Sequence, residues 1–170
     1  MTAVNELSYS VLKNKPPAIL VISSATSTVA DTAIELGKTY MCIKDSKNPC
    51  EQCKNCILIG KNEHPDFIHF DVSSPAKDTI KVNDIRLLSN FFKLTSNQGG
   101  TRIFSLGFLE NVSLTIKNSL LKTIEEPPEN LKVILYTKSV SSVPLTIKSR
   151  CQIIDLRKDI ETEVGASMKI

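Results

Sequence analysis

The chain of 170 residues predicts an α/β protein: a parallel sheet in three layers, with helices on both faces. Two observations lead there. Short apolar runs bounded by turn residues alternate with segments of helical periodicity, the order a parallel sheet needs. The run AILVI at residues 18–22 is apolar at every position, as in a strand covered on both sides. With 41% hydrophobic residues, the length suits one domain with its own core.

Val4, Leu7 and Val11 lie at helical spacing, so residues 2–13 predict a short amphipathic helix ended by Pro16 and Pro17. The strand 18–22 leads through small polar residues into a helix from about Thr28 to Met41. A cysteine-rich stretch, 42–56, precedes DFIHFDV at 66–72, whose alternation predicts a strand. SSPAKD is a loop, and Val82, Ile85, Leu88 and Phe92 mark the stripe of a helix over 81–94, with Phe91 beside it. After a turn at 97–100, RIFSLGF is the third strand. Ser113 suits an N-cap for a helix that buries Ile116, Leu120, Leu121 and Ile124 and that Pro127 and Pro128 stop. LKVILYT (131–137) is a strand, VPLTIKSR a turn or one helical turn, and CQIIDL a last strand.

The formal charge of +3, from 21 basic and 18 acidic residues, is too small to argue by itself for a nucleic-acid partner. Polar and acidic residues occupy the first 17 positions where a signal peptide would be apolar, and no run is long enough to span a membrane, so a cytoplasmic protein is expected. Its five cysteines then read as reduced thiols or metal ligands rather than as disulfides.

Four of them, Cys42, Cys50, Cys53 and Cys56, follow the pattern C-x7-C-x2-C-x2-C. Two overlapping C-x-x-C steps let one tight turn supply three soft ligands, and Cys42 at a helix end supplies the fourth, which predicts a closed structural zinc site. A redox pair would need only two cysteines and would open a helix beside a strand. Cys151 is remote from the cluster, and His64 and His69 are assigned to loop and sheet-edge roles.

A strand, a small polar loop and a helix over 18–36 is the order in which a phosphate-binding loop occurs, yet this loop has neither glycine nor lysine. GKTY at 37–40 spells part of such a loop but lacks the upstream glycines and falls late in a helix, which makes Lys38 a surface residue. The most specific text is NSLLKTIEEPPENLKVILYT followed by VPLTIKSRC. With the cysteine cluster and HPDF after it, this text resembles the AAA+ subunits of the bacterial replicative clamp loader in DNA polymerase III, over about residues 15–156.

That resemblance implies a P-loop NTPase-like AAA+ core over 1–156, a zinc knuckle at 42–56, and a tail at 157–170 that begins a helical lid; the family's lid and collar domains lie beyond the text at hand. It also implies two kinds of subunit. The ATPase kind, gamma or tau, carries a G-x-x-x-x-G-K-[ST] loop and an Asp-Glu pair for magnesium and water. Here the loop is Ala25, Thr26, Ser27, Thr28, Val29 and Ala30, with Val29 in place of the lysine, and Gly107 and Phe108 in place of the acidic pair. Neither ATP nor Mg2+ is therefore expected on this chain.

What the family pattern leaves intact is Arg150, within Ser149-Arg150-Cys151, as an arginine finger toward a neighbour's nucleotide. These features imply the delta-prime kind, partnered with gamma/tau and delta subunits and, through the complex, with the sliding clamp and primed DNA. Lys81 is the candidate DNA-backbone contact. Glu125 and Glu126 stand at a helix end whose dipole disfavours acids. Two alternatives make different predictions: an active gamma/tau-type subunit would turn over ATP, and a small zinc-containing nucleic-acid module would bind DNA in a salt-sensitive manner. The missing charges oppose the first; the modest net charge and lack of an aromatic stripe oppose the second.

Overall fold

In the computed structural model, residues 14–24, 29–44, 48–71, 82–93 and 100–157 are described. The expected helix at 2–13, the loop positions Ala25, Thr26, Ser27 and Thr28, Lys81, and the tail past Arg157 lie outside these residues. Five strands, β1 (Ala18–Ile22), β2 (Phe67–Phe70), β3 (Arg102–Phe108), β4 (Leu131–Thr137) and β5 (Gln152–Asp155), form one sheet in the order β2-β3-β4-β1-β5. Every pairing is parallel, so all strands present their carboxyl ends to the same edge. Around them lie α1 (Val29–Met41), α2 (Lys54–Gly60), α3 (Val82–Lys93), α4 (Leu114–Glu125) and the single turn α5 (Leu145–Lys148).

Side chains alternate across each strand, and this sorts the core into two layers. Leu20, Phe104, Leu106, Val133 and Leu135 meet Leu88, Phe92, Ile116, Leu120 and Ile147 from α3, α4 and α5. Ile19, Val21, Ile103, Ile134 and Tyr136 meet Val29, Ala33, Leu36 and Ile59 from α1 and α2. The expected three layers are present, and β1 is fully buried as its unbroken apolar run requires.

Three local details differ from expectation. Ser113 occupies the N-cap position of α4 in extended conformation, but its side chain makes no capping hydrogen bond. A short helix, α2, grows directly out of the cysteine turn, where only a solvated knuckle was expected. Lys38 is not a free surface residue: its side chain is 13% exposed and its Nζ lies 2.5 Å from Glu51 Oε2. Gly37 before it sits against β2, where a Cβ would stand 2.6 Å from the Phe67 ring. The letters GK thus record close helix-sheet packing and a tether to the cysteine turn.

Candidate functional site

The cysteine centre is built by the ends of α1 and α2. Cys42 follows the last residue of α1, and its amide donates to Lys38 O at 2.7 Å. Glu51 takes a left-handed conformation (φ 55°), which folds the chain back so that Cys50 and Cys53 face the same point. Cys53 is the N-cap of α2, and Cys56 lies in its first turn.

The four sulfurs lie within 4.8 Å of one another. Tetrahedral Zn–S bonds would place sulfurs about 3.8 Å apart, so the set fits a soft four-coordinate ion. A redox pair would not require this convergence, even though Cys53 opens a helix as a redox cysteine often does. Backbone amides also point at the sulfurs: Cys50 N to Cys42 Sγ at 3.5 Å, Cys53 N to Cys50 Sγ at 3.3 Å, and Cys56 N to Cys53 Sγ at 3.4 Å. Burial opposes ionisation of Cys53, but the amides of Ile43 and Cys56 hold its thiol down at about 6. Burial pushes Cys56 up to about 12. Four thiolates this close are stable together only around a cation.

The centre is tied to the sheet by a polar chain. Asn55 Nδ2 donates to Met41 O at 2.7 Å, while His64 Nε2 lies 3.3 Å from Asn55 Oδ1. The Asp66 amide donates to His64 Nδ1 at 3.1 Å, which assigns the ring proton to Nε2. His64 is thus a buried tether and not a ligand. His69 on β2 bonds Ser105 Oγ at 2.9 Å, and Cys151 packs against the α3–α4 layer, its thiol pushed up to about 11 by burial.

At the carboxyl edge of the sheet, the positions that the family pattern assigns to charge hold hydrocarbon. Val29 begins α1 and is 1% exposed; Phe108 ends β3 and is 0% exposed; both belong to the α1–α2 core layer. A register shift between Leu106 and Phe108 lets Gly107 bulge out of the ladder. Phe104 and Leu106 face one layer and Phe108 the other, so the bulge is what turns Phe108 into the α1 side. The Lys138 ammonium stands 5.0 Å from the Phe108 ring centroid, a cation–π contact at the carboxyl end of β3.

An acid two residues past Phe108 was missed by sequence reasoning. Glu110, in the turn Leu109–Asn111, accepts from Thr137 Oγ1 at 2.5 Å, Ser142 Oγ at 2.8 Å and the Lys138 amide at 3.0 Å. Partial burial opposes its charge, but these donors outweigh that and hold the carboxyl below its ordinary value. Glu110 is engaged in fastening the Val140–Ser142 turn to the end of β4. The available signal was an acid just past β3 facing a serine-rich turn.

Arg150 leaves the fold between two anchors: Ile147, 1% exposed, and Cys151 in the core layer. Its amide donates to Ile147 O at 3.1 Å, and Ser149 Oγ donates to Thr146 O at 3.2 Å, so both flanking residues serve the backbone of this corner. The Arg150 side chain is 40% exposed; Nη1 donates to Thr146 O at 2.9 Å, and Nη2 lies 3.3 Å from Glu125 Oε1. The cysteine centre, the apolar sheet edge and Arg150 are three separate features.

A family model described as DNA polymerase III, delta subunit, matches residues 1–160. The chain is similar to DNA polymerase III subunit delta′ of Bacillus subtilis (strain 168), 32% identical over 122 residues, covering 72% of this chain and 36% of that protein. It is similar to DNA polymerase III subunit delta′ of Haemophilus influenzae, 30% identical over 139 residues, covering 82% of this chain and 42% of that protein. In fold it resembles a DNA polymerase III gamma subunit-related protein from Thermotoga maritima, with a TM-score of 0.62 at 19% identity, over 94% of this chain and 48% of that one. The chain spans less than half the length of each. No helix among the described residues is long and apolar enough to cross a membrane. With a family model matched over nearly its whole length, the chain belongs to the DNA polymerase III delta-subunit family.

Proposed function

We propose that the chain is the AAA+ core of a delta-prime subunit of the bacterial replicative clamp loader: inert toward ATP itself, and supplying Arg150 to the nucleotide site of a neighbouring subunit. The observation that carries this is a charge inventory. A phosphate site needs a cation and a metal-holding acid, and the two matching positions are Val29 and Phe108, both packed in the core. Buried hydrocarbon can neither neutralise a phosphate nor orient a water. The acid closest in sequence, Glu110, is committed to hydroxyl and amide donors.

Arg150 has the opposite situation, being charged, accessible and held in place. A guanidinium offers five N–H donors in a rigid fork, so contacts at Nη1 and Nη2 leave others for a phosphate. Placed beside a neighbour's γ-phosphate, such a group stabilises the charge of the transition state by about a thousandfold or more in rate. The neighbour would be a gamma or tau ATPase subunit; the delta subunit, the sliding clamp and primed DNA would be met through the complex, in the cytoplasm. Residues 1–156 form the core in this scheme, and 157–170 lead toward a lid. Lys81 is assigned to the DNA backbone, by a contact that would be independent of sequence and sensitive to salt.

Cys42, Cys50, Cys53 and Cys56 would hold Zn2+ in a closed site, with no open position for substrate. The ion supplies cross-linking of the ends of α1 and α2, not chemistry. The test of the main proposal is an ATPase assay on the protein assembled with its partner subunits and primed DNA. Arg150→Ala is expected to lower turnover by at least tenfold at the site it serves. Equal rates for wild type and Arg150→Ala, or steady ATP hydrolysis by this protein alone, would overturn it. Turnover by the lone protein would favour the gamma/tau kind instead.

A further inference from the structure

We infer that Glu125 is the positioning residue for Arg150, an inference that rests on the proposed arginine finger. The first ground is an anomaly with a structural resolution. Glu125 is the last residue of α4, where the negative end of the helix dipole works against a carboxylate. An acid at that place needs a compensating cation, and the cation within reach is Arg150, whose Nη2 stands 3.3 Å from Glu125 Oε1.

The second ground is that both ends of this pair are fixed by buried structure. Ile116, Leu120 and Ile124 pin α4 to the sheet. Pro127 and Pro128 then stop the helix, and the Leu131 amide donates to Pro128 O at 2.9 Å as β4 begins. This short link sets where Glu125 sits relative to the core strand that follows. On the other side, Ile147 and Cys151 bracket Arg150. The guanidinium is therefore gripped twice, by Thr146 O at 2.9 Å from its own turn and by Glu125 from a second element.

The third ground is the division of labour between the two adjacent acids. Glu126, the C-cap of α4, donates its amide to Lys122 O at 3.2 Å, and its side chain lines a groove with Lys93, Lys122 and Ser89. Glu125 does not line that groove and instead pairs with Arg150. A free arginine side chain carries about 2 kcal/mol of rotamer entropy, part of which must be lost whenever it engages a phosphate. Holding the fork in advance removes part of that cost before the neighbour arrives. At 41% exposure the pair is screened by water and salt, so its effect is modest.

The experiment compares Arg150→Ala, Glu125→Ala, Glu125→Gln and the double variant Glu125→Ala/Arg150→Ala in the complex with partner ATPase subunits and primed DNA. Glu125→Ala is expected to lower the stimulated kcat about two- to fivefold with KM for ATP unchanged, Glu125→Gln less, and the deficit to shrink as salt rises. In the Arg150→Ala background the same substitution is expected to change nothing, which a merely structural role would not produce. Thermal melting of each variant alone checks that the fold is kept. An Arg150→Ala deficit with full activity in Glu125→Ala overturns the positioning role and leaves the finger standing. Faster turnover in Glu125→Ala, or an equal deficit in both backgrounds, also overturns it. Wild-type turnover in Arg150→Ala removes the finger and this inference with it.

Discussion

Replacing Gly37 by alanine tests whether packing, not helix propensity, governs the join between α1 and the sheet. In an ordinary helix interior the change adds about 0.5–1 kcal/mol, because alanine costs less backbone entropy than glycine. Here the new methyl would meet Phe67 Cε2 at 2.6 Å, Phe67 Cδ2 at 2.9 Å and Ile59 Cγ2 at 3.4 Å. Carbon atoms rest about 3.5–4.0 Å apart, so α1 or the ring must move by roughly 1 Å. The ring cannot swing into solvent, since Phe67 is 4% exposed on β2. Overpacking of this kind costs about 1–3 kcal/mol, and subtracting the propensity gain leaves about 0–2.5 kcal/mol of destabilisation, with a midpoint of about 1 kcal/mol. For a chain of this size that midpoint is roughly 2–4 °C in Tm. Thermal unfolding followed by circular dichroism reads it directly. Gly60→Ala is the internal control, because its methyl meets the flexible Lys38 side chain at 3.3 Å and nothing rigid. A Gly37→Ala protein that melts at or above the wild-type temperature would show that the helix-sheet join is looser than these distances require.

The cysteine centre predicts one zinc per chain in protein prepared without chelator. Cys56→Ser is expected to abolish it and to lower Tm by on the order of 10 °C, since loss of a structural metal is among the few changes worth several kcal/mol. Elemental analysis that finds no zinc would end the metal assignment. Glu110 predicts a pH effect whose sign follows from its lowered pKa. A carboxyl that binds its proton less readily when folded adds stability above its ordinary value of 4.5, and that contribution is lost as pH falls below it. Glu110→Gln should therefore lower stability at neutral pH and flatten the urea-unfolding profile below pH 4.5; an unchanged slope would separate Glu110 from acid sensitivity.

Strand positions were legible in the sequence because burial on both faces leaves mostly apolar runs, unbroken in β1 and interrupted by Arg102 and Ser105 in β3 and by Lys132 in β4. The cysteine centre was legible for a similar reason, since ligand spacing is a local property. Three things were not. The helix α2 has seven residues, too short for periodicity to declare itself, and its start depends on Cys53 accepting from the Cys56 amide. Lys38 and Glu51 are 13 positions apart, and their pairing exists only once α1 and the cysteine turn have docked. Arg102 looks like a strand-edge charge, yet it is 3% exposed and donates to Phe91 O and Phe92 O at the end of α3. Each of these depends on a contact made by a polar side chain or thiol, local at Cys53 and between separate elements at Lys38 and Arg102, and hydrophobic patterning carries no information about it.

The sheet edge shows what a charge at position 29 or 108 would cost. A lysine at position 29 without the acids, or an acid at 108 without a cation, would place a charge in the layer formed by Val21, Ile134 and Tyr136. An unpaired charge there costs several kcal/mol, comparable with the whole stability of a domain. Val29 and Phe108 carry no such penalty and add packing, so this core layer favours hydrocarbon at both positions together. Arg150 lies outside this logic. At 40% exposure its charge stays hydrated, and the core neither needs nor forbids it. What the fold does supply is order: buried Ile147, half-buried Cys151 and an ion pair restrain a side chain that water alone would leave free. Restraint of an exposed cation contributes little to stability; under the proposed function its value would lie in presenting the guanidinium, already ordered, to a neighbour's phosphate.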